Sequence, residues 1–273
     1  MLAHPPDRHL LRECHAGMLD IRRTMTPIPL SHRCSNHLRS ALASCVLLLL
    51  VIVSGCNSLP DLVEDTMLEV SSRQRVLVVH GLFRTQRAMR PLHPALRNAG
   101  FDVIEYRYTS TQQTVETLAT ELREYLREQL DQEPDVPLHV IGHSLGAVIA
   151  VMATSPAIPG IGRVVQISPP NRGSPVAKAF EGLVGPWILS LEELSNRDGG
   201  PIPAGSEPGA QTGVIAAKSD AMVPIESTEL AGAMDRIVLP GSHTFVFWRA
   251  RTQQEIIHFL IHGQFSPDAP RPD

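Results

Sequence analysis

Several features that identify other classes of protein are missing from this 273-residue sequence. Lys and Arg (24) are fewer than Asp and Glu (28), so the formal net charge of −4 provides no basic excess for holding a nucleic-acid backbone. No group of Cys and His has zinc-like spacing, and no period of 20–50 residues repeats. These absences argue against a nucleic-acid partner, a zinc site and a solenoid fold.

Cysteine is confined to the beginning of the chain. The four cysteines are Cys14, Cys34, Cys45 and Cys56. A domain beyond residue 56 can therefore form no internal disulfide, and its stability has to come from buried apolar side chains. Apolar residues make up 43% of the chain, which is enough for a sizeable core.

An uncharged apolar run of thirteen residues occupies positions 41–53. It is shorter than the roughly 20 residues of a transmembrane helix, and Arg33 and Arg39 precede it as in a signal peptide. The run ends in Val53-Ser54-Gly55-Cys56, which resembles the lipobox of bacterial lipoproteins. By that resemblance residues 1–56 are a leader cleaved before a lipidated Cys56; an uncleaved anchor helix is the alternative.

Lipidation of Cys56 implies a lipid anchor in the cell envelope, at an outer membrane and facing periplasm or exterior. Asn57 follows, and is not the Asp that favours inner-membrane retention in enteric bacteria. Met18 and Met25 are alternative starts of translation. Without residues 1–56 the chain keeps 18 basic and 25 acidic residues, a net charge of about −7. We therefore expect no electrostatic attraction to anionic lipid, and attachment through the acyl chains alone.

Strand-like and helix-like patterns alternate along the rest of the chain. Such alternation predicts a parallel sheet with right-handed crossovers and helices on both faces. Ligands of such sheets bind at the carboxyl ends of the strands. We assign 57–73 to a tether, 74–265 to the domain and 266–273 to a disordered tail. The predicted strands are 75–79, 102–108, 138–141, 163–167, 214–217 and 236–239, and the predicted helices are 85–98, 115–130, 147–154 and 252–261.

The sequence Gly142-His143-Ser144-Leu145-Gly146 lies between a predicted strand and a predicted helix. A serine on a tight strand-to-helix turn has an exposed oxygen, and flanking glycines let neighbouring backbone pass close to it. GxSxG alone arises easily by chance, whereas the strand before it and the helix after it make the pattern much more specific. Ser144 is therefore the candidate nucleophile.

Five motifs together resemble the α/β-hydrolase superfamily, and within it compact bacterial lipases and esterases. The resemblance covers residues 75–262, follows the order nucleophile, acid, histidine, and implies neither a metal nor a cofactor. It also implies an α/β-hydrolase fold with a mostly parallel twisted sheet. The motifs are VVHGLF at 78–83, GHSLG at 142–146, SPPNRGSP at 168–175, SDAMVP at 219–224 and GSHTF at 241–245.

The resemblance implies that Asp220, just after the strand at 214–217, is the triad acid. Glu226 and Asp235 are the alternatives, although Asp235 precedes a strand and so lies at the wrong end of the sheet. His243 follows the last predicted strand and is the expected general base, since the ordinary histidine pKa of about 6.5 suits proton transfer near neutral pH. Packing or surface positions are expected instead for His258 and His262, and His93 lies early in the chain, far from the expected acid.

The same resemblance assigns the oxyanion site to two backbone N–H groups, those of Leu82 and Leu145. Loss of one such donor typically lowers the rate about 10²–10³-fold. The side chain of His80 is expected to hold the loop that carries Leu82 rather than to take part in the chemistry.

Residues 174–195 hold more apolar side chains than a plain loop requires. One interpretation is a short lid-like insertion or acyl-pocket wall, which would suit lipid or medium-chain esters. An ordinary helix packed on the sheet is the alternative. The apolar residues are Phe180, Leu183, Val184, Trp187, Ile188, Leu189 and Leu191.

These observations predict a serine hydrolase that cleaves carboxylic esters through Ser144, His243 and Asp220 by way of an acyl-enzyme. Its expected partners are an acyl-ester substrate, with membrane lipid as one candidate, and the membrane that holds Cys56. Acyl transfer or thioester cleavage by the same three residues is the alternative. A third hypothesis is an inactive, surface-anchored scaffold on the same fold.

Overall fold

The structure is a computed structural model that describes residues 73–184, 188–195, 200–202 and 206–272. The chain divides into two units, Met1–Leu59 and Pro60–Asp273, and all described residues belong to the second. The expected leader 1–56 with Cys56, and the tether up to residue 72, lie outside the described residues. Within the described ranges, no helix is both long and apolar enough to cross a membrane.

Six parallel strands form one sheet in the order β2-β1-β3-β4-β5-β6. The chain passes from β1 to β2 on one side and then returns to place β3 on the other side of β1. The crevice between the carboxyl ends of β1 and β3 is therefore the topological switch point, where ligands of such sheets bind. The strands are β1 (Gln74–Val79), β2 (Phe101–Glu105), β3 (Leu138–His143), β4 (Ile161–Ile167), β5 (Gln211–Ala217) and β6 (Asp235–Leu239).

Apolar side chains are buried on both faces of the sheet, which explains the continuous apolar runs of the strands. Successive side chains of β1 alternate between two core clusters: Leu77 and Val79 belong to one, Val76 and Val78 to the other. Both clusters lie within residues 76–269. The second unit thus contains its whole sheet and both cores.

The described residues include six α-helices, which contribute side chains to the two core clusters. The longest, α2, begins after Thr114, whose hydroxyl accepts from the Thr117 N–H at 3.1 Å. Its buried residues Leu118, Leu122 and Leu126 recur at helical spacing. The helices are α1 (His93–Asn98), α2 (Val115–Gln132), α3 (Leu145–Thr154), α4 (Pro175–Val184), α5 (Leu189–Leu194) and α6 (Ala250–His262).

The structure corrects two predicted elements near the beginning of the domain. The single helix predicted at 85–98 is a 3-10 helix, Gln86–Leu92, followed by α1. Pro91 and Pro94 lack the N–H groups that a continuous α-helix would use, so the α-helix starts only at His93. The strand predicted at 102–108 ends at Glu105.

The prediction of a disordered tail at 266–273 is wrong for the described residues 266–272. Ala269 is buried in the core cluster of the α1–α6 face, and the carbonyl of Pro270 accepts from the Val238 N–H at 2.8 Å. The Arg271 guanidinium lies 3.0 Å from Asp235. Polar composition suggested disorder, but these contacts hold the segment against β6.

Candidate active site

Ser144 stands on the turn between β3 and α3, at the switch point of the sheet. Its backbone has φ 54° and ψ −124°, a region that few residues other than glycine adopt. The Ser144 N–H donates to the Ile167 carbonyl on β4 at 2.9 Å, which holds the turn in place. Ser144 is half-buried rather than fully buried.

Gly142 and Gly146 are required by close backbone contacts around this turn. A Cβ at Gly142 would lie 2.4 Å from the Gly146 carbonyl oxygen. A Cβ at Gly146 would lie 2.3 Å from the His80 carbonyl oxygen and 2.5 Å from that of Val79. The absence of side chains at both positions therefore lets the first turn of α3 lie directly against the carboxyl end of β1.

Ser144, His243 and Asp220, predicted from three separate motifs, form one chain of hydrogen bonds. The Nε2 atom of His243 lies 3.0 Å from the Ser144 Oγ. The Nδ1 atom of His243 lies 2.7 Å from Oδ2 of Asp220. The loops after β5 and β6 carry the acid and the histidine, so all three residues meet at the carboxyl edge of the sheet.

The Asp220 carboxylate is held in its ionised form. Its side chain is only 1% exposed, and this burial acts to raise its pKa. The hydrogen bond and charge of His243 act in the opposite direction, together with the N–H groups of Met222 and Val223 on Oδ1, and the net pKa is lowered. An ionised Asp220 accepts the Nδ1 proton of His243, which leaves Nε2 as the acceptor for the Ser144 hydroxyl.

The alternative acids lie elsewhere in the described structure. Glu226 is exposed on the 3-10 helix Ile225–Thr228. Asp235 begins β6 at the amino edge of the sheet, where its carboxylate accepts from the Phe265 N–H at 2.9 Å.

The alternative histidines are also distant from Ser144 in the fold. His93 is buried in α1, beside Glu105 at 3.7 Å. The rings of His258 and His262 lie 4.4 Å apart on α6.

The two predicted oxyanion donors face the same crevice as Ser144. A Cβ at Gly81 would lie 3.0 Å from the Ser144 Cβ, so the loop that carries Leu82 passes directly beside the serine. Leu145 is the first residue of α3, where helical N–H groups have no acceptor in their own helix. Among the described residues, neither the Leu82 nor the Leu145 amide donates to a protein acceptor. Both N–H groups thus remain available to a ligand.

The His80 side chain is fully buried and supports the loop after β1. Its Nδ1 donates to the Gly81 carbonyl at 2.9 Å, and its ring stacks on Tyr108 with 4.2 Å between centroids. The Tyr108 hydroxyl donates to the His80 carbonyl at 2.5 Å. Burial lowers the pKa of His80, so the ring is neutral near pH 7. These contacts fit the structural role expected for His80; the part played by Tyr108 was not predicted.

His143 is a second residue that the sequence did not single out. Its Nε2 donates to the His243 backbone carbonyl at 2.8 Å, and its ring packs against those of His243 and Phe247 at 4.9 and 5.0 Å. Burial lowers the pKa of His143 to about 3. A neutral His143 therefore ties the nucleophile turn to the loop that carries His243. Its place immediately before Ser144 was the only signal in the sequence.

The apolar stretch at 174–195 is described only in part. Ile188 and Leu194 are buried in the core cluster of the α2–α3 face, whereas Leu189 is 48% exposed. The lid-like insertion remains a prediction. Trp187 lies outside the described residues, as do the side chains of Phe180, Leu183, Val184 and Leu191.

The site is built from protein groups suited to acyl transfer. In the part of the chain that the structure describes, no group of three or more His, Cys, Asp or Glu side chains is arranged to hold a metal ion. A nucleophilic hydroxyl, a base with an ionised partner and two backbone donors together can form and break an acyl ester on Ser144.

The chain belongs to the Alpha/beta hydrolase family, whose sequence pattern matches residues 76–254. The match runs from β1 into α6 and includes Ser144, Asp220 and His243. It confirms the predicted fold class, which the six-stranded, all-parallel sheet displays. No curated protein matches the chain.

Solved structures with a similar fold include lipases and a thioesterase. The mature Bacillus licheniformis lipase BlEst2 is 14% identical, with a TM-score of 0.58 over 74% of this chain and 98% of that one. Its propeptide form is 14% identical, with a TM-score of 0.59 over 78% of this chain and 54% of that one, so this chain spans about half its length.

Two further solved structures have a lower TM-score. A Paleococcus ferrophilus monoacylglycerol lipase is 17% identical, with a TM-score of 0.50 over 69% of this chain and 94% of that one. The type II thioesterase YbtT of yersiniabactin biosynthesis is 14% identical, with a TM-score of 0.52 over 72% and 97%. At these identities the similarity shows the fold alone.

Proposed function

We propose that the chain is a serine hydrolase that cleaves carboxylic esters through Ser144, His243 and Asp220. The observation that carries the proposal is the continuous hydrogen-bonded chain from the Ser144 hydroxyl to the buried Asp220 carboxylate, with 3.0 and 2.7 Å between its heavy atoms. The strained backbone of Ser144 supports it, since strain of this kind often occurs at functional positions.

The reaction proceeds in two halves. The Ser144 Oγ attacks the acyl carbon while Nε2 of His243 takes the hydroxyl proton, and the tetrahedral oxyanion accepts hydrogen bonds from the Leu82 and Leu145 amides. The ester C–O bond then breaks, and His243 returns the proton to the leaving alcohol. Water, deprotonated by His243, attacks the acyl-enzyme and releases the carboxylic acid with Ser144 restored.

Asp220 acts on the histidine rather than on the substrate. In each half of the reaction His243 becomes an imidazolium cation, whose charge the ionised Asp220 stabilises at 2.7 Å. The N–H groups of Met222 and Val223 on its other oxygen fix the orientation of the carboxylate.

The proposed substrates are lipid or medium-chain esters, and the proposed location is the cell envelope. The apolar residues at 174–195 support the first statement, and the apolar run at 41–53 followed by the lipobox-like Cys56 supports the second. A lipid anchor would keep the enzyme beside its substrate.

Fluorophosphonate labelling tests the proposal without knowledge of the substrate. Residues 57–273 should be labelled, and Ser144→Ala should abolish the label. The matched control is Ser242→Ala, since Ser242 is an exposed serine beside His243. Equal labelling of wild type and Ser144→Ala, or no labelling of a folded wild type, would contradict an activated Ser144.

A comparison of leaving groups and acceptors then distinguishes the reactions that this triad can perform. Oxygen esters and thioesters of matched acyl length should be compared by kcat/KM, with a second alcohol added to detect acyl transfer. A preference for thioesters, or transfer to the added alcohol in place of hydrolysis, would replace ester hydrolysis by the alternative activity while leaving Ser144 as nucleophile.

A further inference from the structure

Basic residues are concentrated in the loops that surround Ser144. The loops at 80–85, 106–114, 168–174, 218–224 and 240–249 follow five different strands and lie at the carboxyl edge of the sheet. Together they contain five basic residues and a single acidic one, Asp220, whose side chain is 1% exposed and bonded to His243. The basic residues, all exposed, are Arg84, Arg107, Arg172, Lys218 and Arg249.

Four of these cations form no close ion pair with a described acidic residue, although the charge of Arg107 helps to lower the pKa of Glu105. Arg172 forms an ion pair with Glu229 at 2.8 Å. Arg84 donates to the Thr244 hydroxyl at 3.2 Å, a neutral contact that joins the loops after β1 and β6. Glu193 on α5 accepts from the Val115 N–H at the start of α2. These four exposed cations are therefore available to an anionic ligand, although the chain as a whole is acidic.

The acidic residues lie on other surfaces of the domain. Several of them are in the second half of α2 and in the segment that leads to β3, and others are at the amino edge of the sheet. These residues include Glu124, Glu128, Asp131, Glu133, Asp135, Asp102 and Asp235. At the amino edge the acids are balanced by arginines, since Arg73 pairs with Asp102 and Glu133, and Arg271 pairs with Asp235.

Two large apolar side chains are exposed among the basic residues. Phe83 is 64% exposed and Trp248 is 52% exposed. Phe83 also has φ 57°, which is uncommon for a bulky residue. Its exposed side chain is therefore carried on a strained backbone. The Arg84–Thr244 hydrogen bond connects the loop of Phe83 to that of Trp248, whose ring packs on Phe245 at 5.2 Å.

We propose that this edge docks on an anionic phospholipid surface and presents Ser144 to it. The four unpaired cations belong to loops that follow β2, β1, β5 and β6, and these loops extend across the whole sheet, about 24 Å at the usual strand spacing. Such a spread is too wide for one phosphate group but matches a charged plane. Basic residues attract anionic headgroups, and Phe83 and Trp248 insert into the boundary between headgroups and acyl chains.

The inference rests on the proposed function, because it names membrane phospholipid as the source of the ester. It replaces the expectation, drawn from net charge alone, that anionic lipid does not attract this domain. Docking is measured in Ser144→Ala, which does not turn over, so the result is independent of the chemistry. Hydrolysis of a soluble ester by the wild type tests the chemistry separately.

Trp248 provides a reporter for the experiment. The sequence has two tryptophans, so Ser144→Ala with Trp187→Phe leaves Trp248 alone. Residues 57–273 are used, since they contain the whole sheet and both cores and lack the apolar run at 41–53. Vesicles of phosphatidylcholine are compared with vesicles of equal parts phosphatidylcholine and phosphatidylglycerol. Blue-shifted Trp248 emission and cosedimentation are expected with the second kind only.

Matched charge variants locate the docking surface. Arg84→Gln with Arg249→Gln should lower the partition coefficient about 30-fold, at about fivefold for each cation. Arg97→Gln with Arg127→Gln makes the same change in net charge on exposed parts of α1 and α2 and should have little effect. Phe83→Asn, which suits a positive φ, should lower partitioning about tenfold.

Three results would overturn the inference. The first is equal binding to both kinds of vesicle, or binding to neither. The second is an equal loss of vesicle partitioning in the two pairs of arginine variants. The third is the same Trp248 emission shift with soluble glycerophosphoglycerol at matched phosphate concentration. The last would indicate a site for a single anion in place of a docking surface. None of the three would affect the labelling of Ser144.

Discussion

Asp220→Asn keeps the shape of the side chain and removes its charge. Oδ1 of Asp220 accepts from the N–H groups of Met222 and Val223 at 2.8 and 2.9 Å, so the carbonyl oxygen of an asparagine would take that position. Its NH₂ group would then face the His243 Nδ1, where the carboxylate oxygen now lies at 2.7 Å. Because an NH₂ group only donates, Nδ1 has to become the acceptor, and the ring proton moves to Nε2.

A proton on Nε2 of His243 points at the Ser144 Oγ, 3.0 Å away, so the ring can no longer accept the serine proton. The same change in a Ser-His-Asp protease lowers kcat about 10⁴-fold, equivalent to about 5 kcal/mol of activation free energy. We expect a loss of this order in kcat, with little change in KM, because Asp220 is buried and does not reach the substrate.

The assay compares kcat and KM for a soluble butyrate ester, the rate of fluorophosphonate labelling, and the thermal unfolding of each variant. Glu226→Gln is the matched control, since Glu226 is an exposed acid and the first alternative to Asp220. Glu226→Gln should behave as the wild type does. A folded Asp220→Asn protein that keeps more than about a tenth of the wild-type kcat would refute the role of Asp220 as the triad acid.

Three other predictions concern His143 and Gly146, and a fourth concerns the lipobox-like Cys56. His143→Phe removes the donor to the His243 carbonyl and should lower kcat about tenfold with KM unchanged. His143→Gln can still donate and should keep a higher kcat than His143→Phe. Equal kcat in both variants would contradict this role of His143. Because His143 has a pKa of about 3, between pH 6.5 and about 3 the unfolded chain binds a proton there that the folded protein does not. The wild type should therefore lose about 1.5 kcal/mol more stability than His143→Gln between pH 6.5 and 5, measured by urea unfolding. Gly146→Ala should lower the melting temperature despite the roughly 1 kcal/mol that alanine contributes in a helix, because its Cβ would lie 2.3 Å from the His80 oxygen. Cys56→Ser should leave the leader uncleaved and the chain without lipid, which intact mass and metabolic labelling with a fatty acid would report.

The strands could be predicted from sequence because each is a short apolar run that leads to a turn or loop. Their order could not, since nothing local in β1, β2 or β3 states that β1 lies between the other two. The helix predicted at 85–98 is divided in the structure because Pro91 and Pro94 cannot donate the N–H groups of a continuous α-helix. The tail at 266–272 was misjudged because its contacts, Pro270 with Val238 and Arg271 with Asp235, join residues that are more than thirty positions apart.

The candidate site was predictable to the extent that its chemistry lies in local motifs. Ser144, Asp220 and His243 each follow a strand, and a parallel sheet brings the carboxyl ends of its strands to one edge. His143 and Tyr108 escaped prediction because each acts on a backbone carbonyl, His143 on that of His243 a hundred residues away and Tyr108 on that of His80. Any residue type can present a carbonyl, so no sequence pattern marks such a contact.

Net charge and charge distribution give opposite expectations for lipid binding, and the topology explains why. A value of about −7 for residues 57–273 averages all surfaces, whereas a parallel sheet gathers the loops that follow its strands on one edge and the residues that precede its strands on the other. In this chain the first set carries the unpaired Arg84, Arg107, Lys218 and Arg249, whereas the acids Glu133 and Asp235 at the other edge are paired with Arg73 and Arg271. A lipid surface within a Debye length of one edge is attracted or repelled mainly by the charged residues of that edge. The sign of the attraction therefore depends on the loops around Ser144.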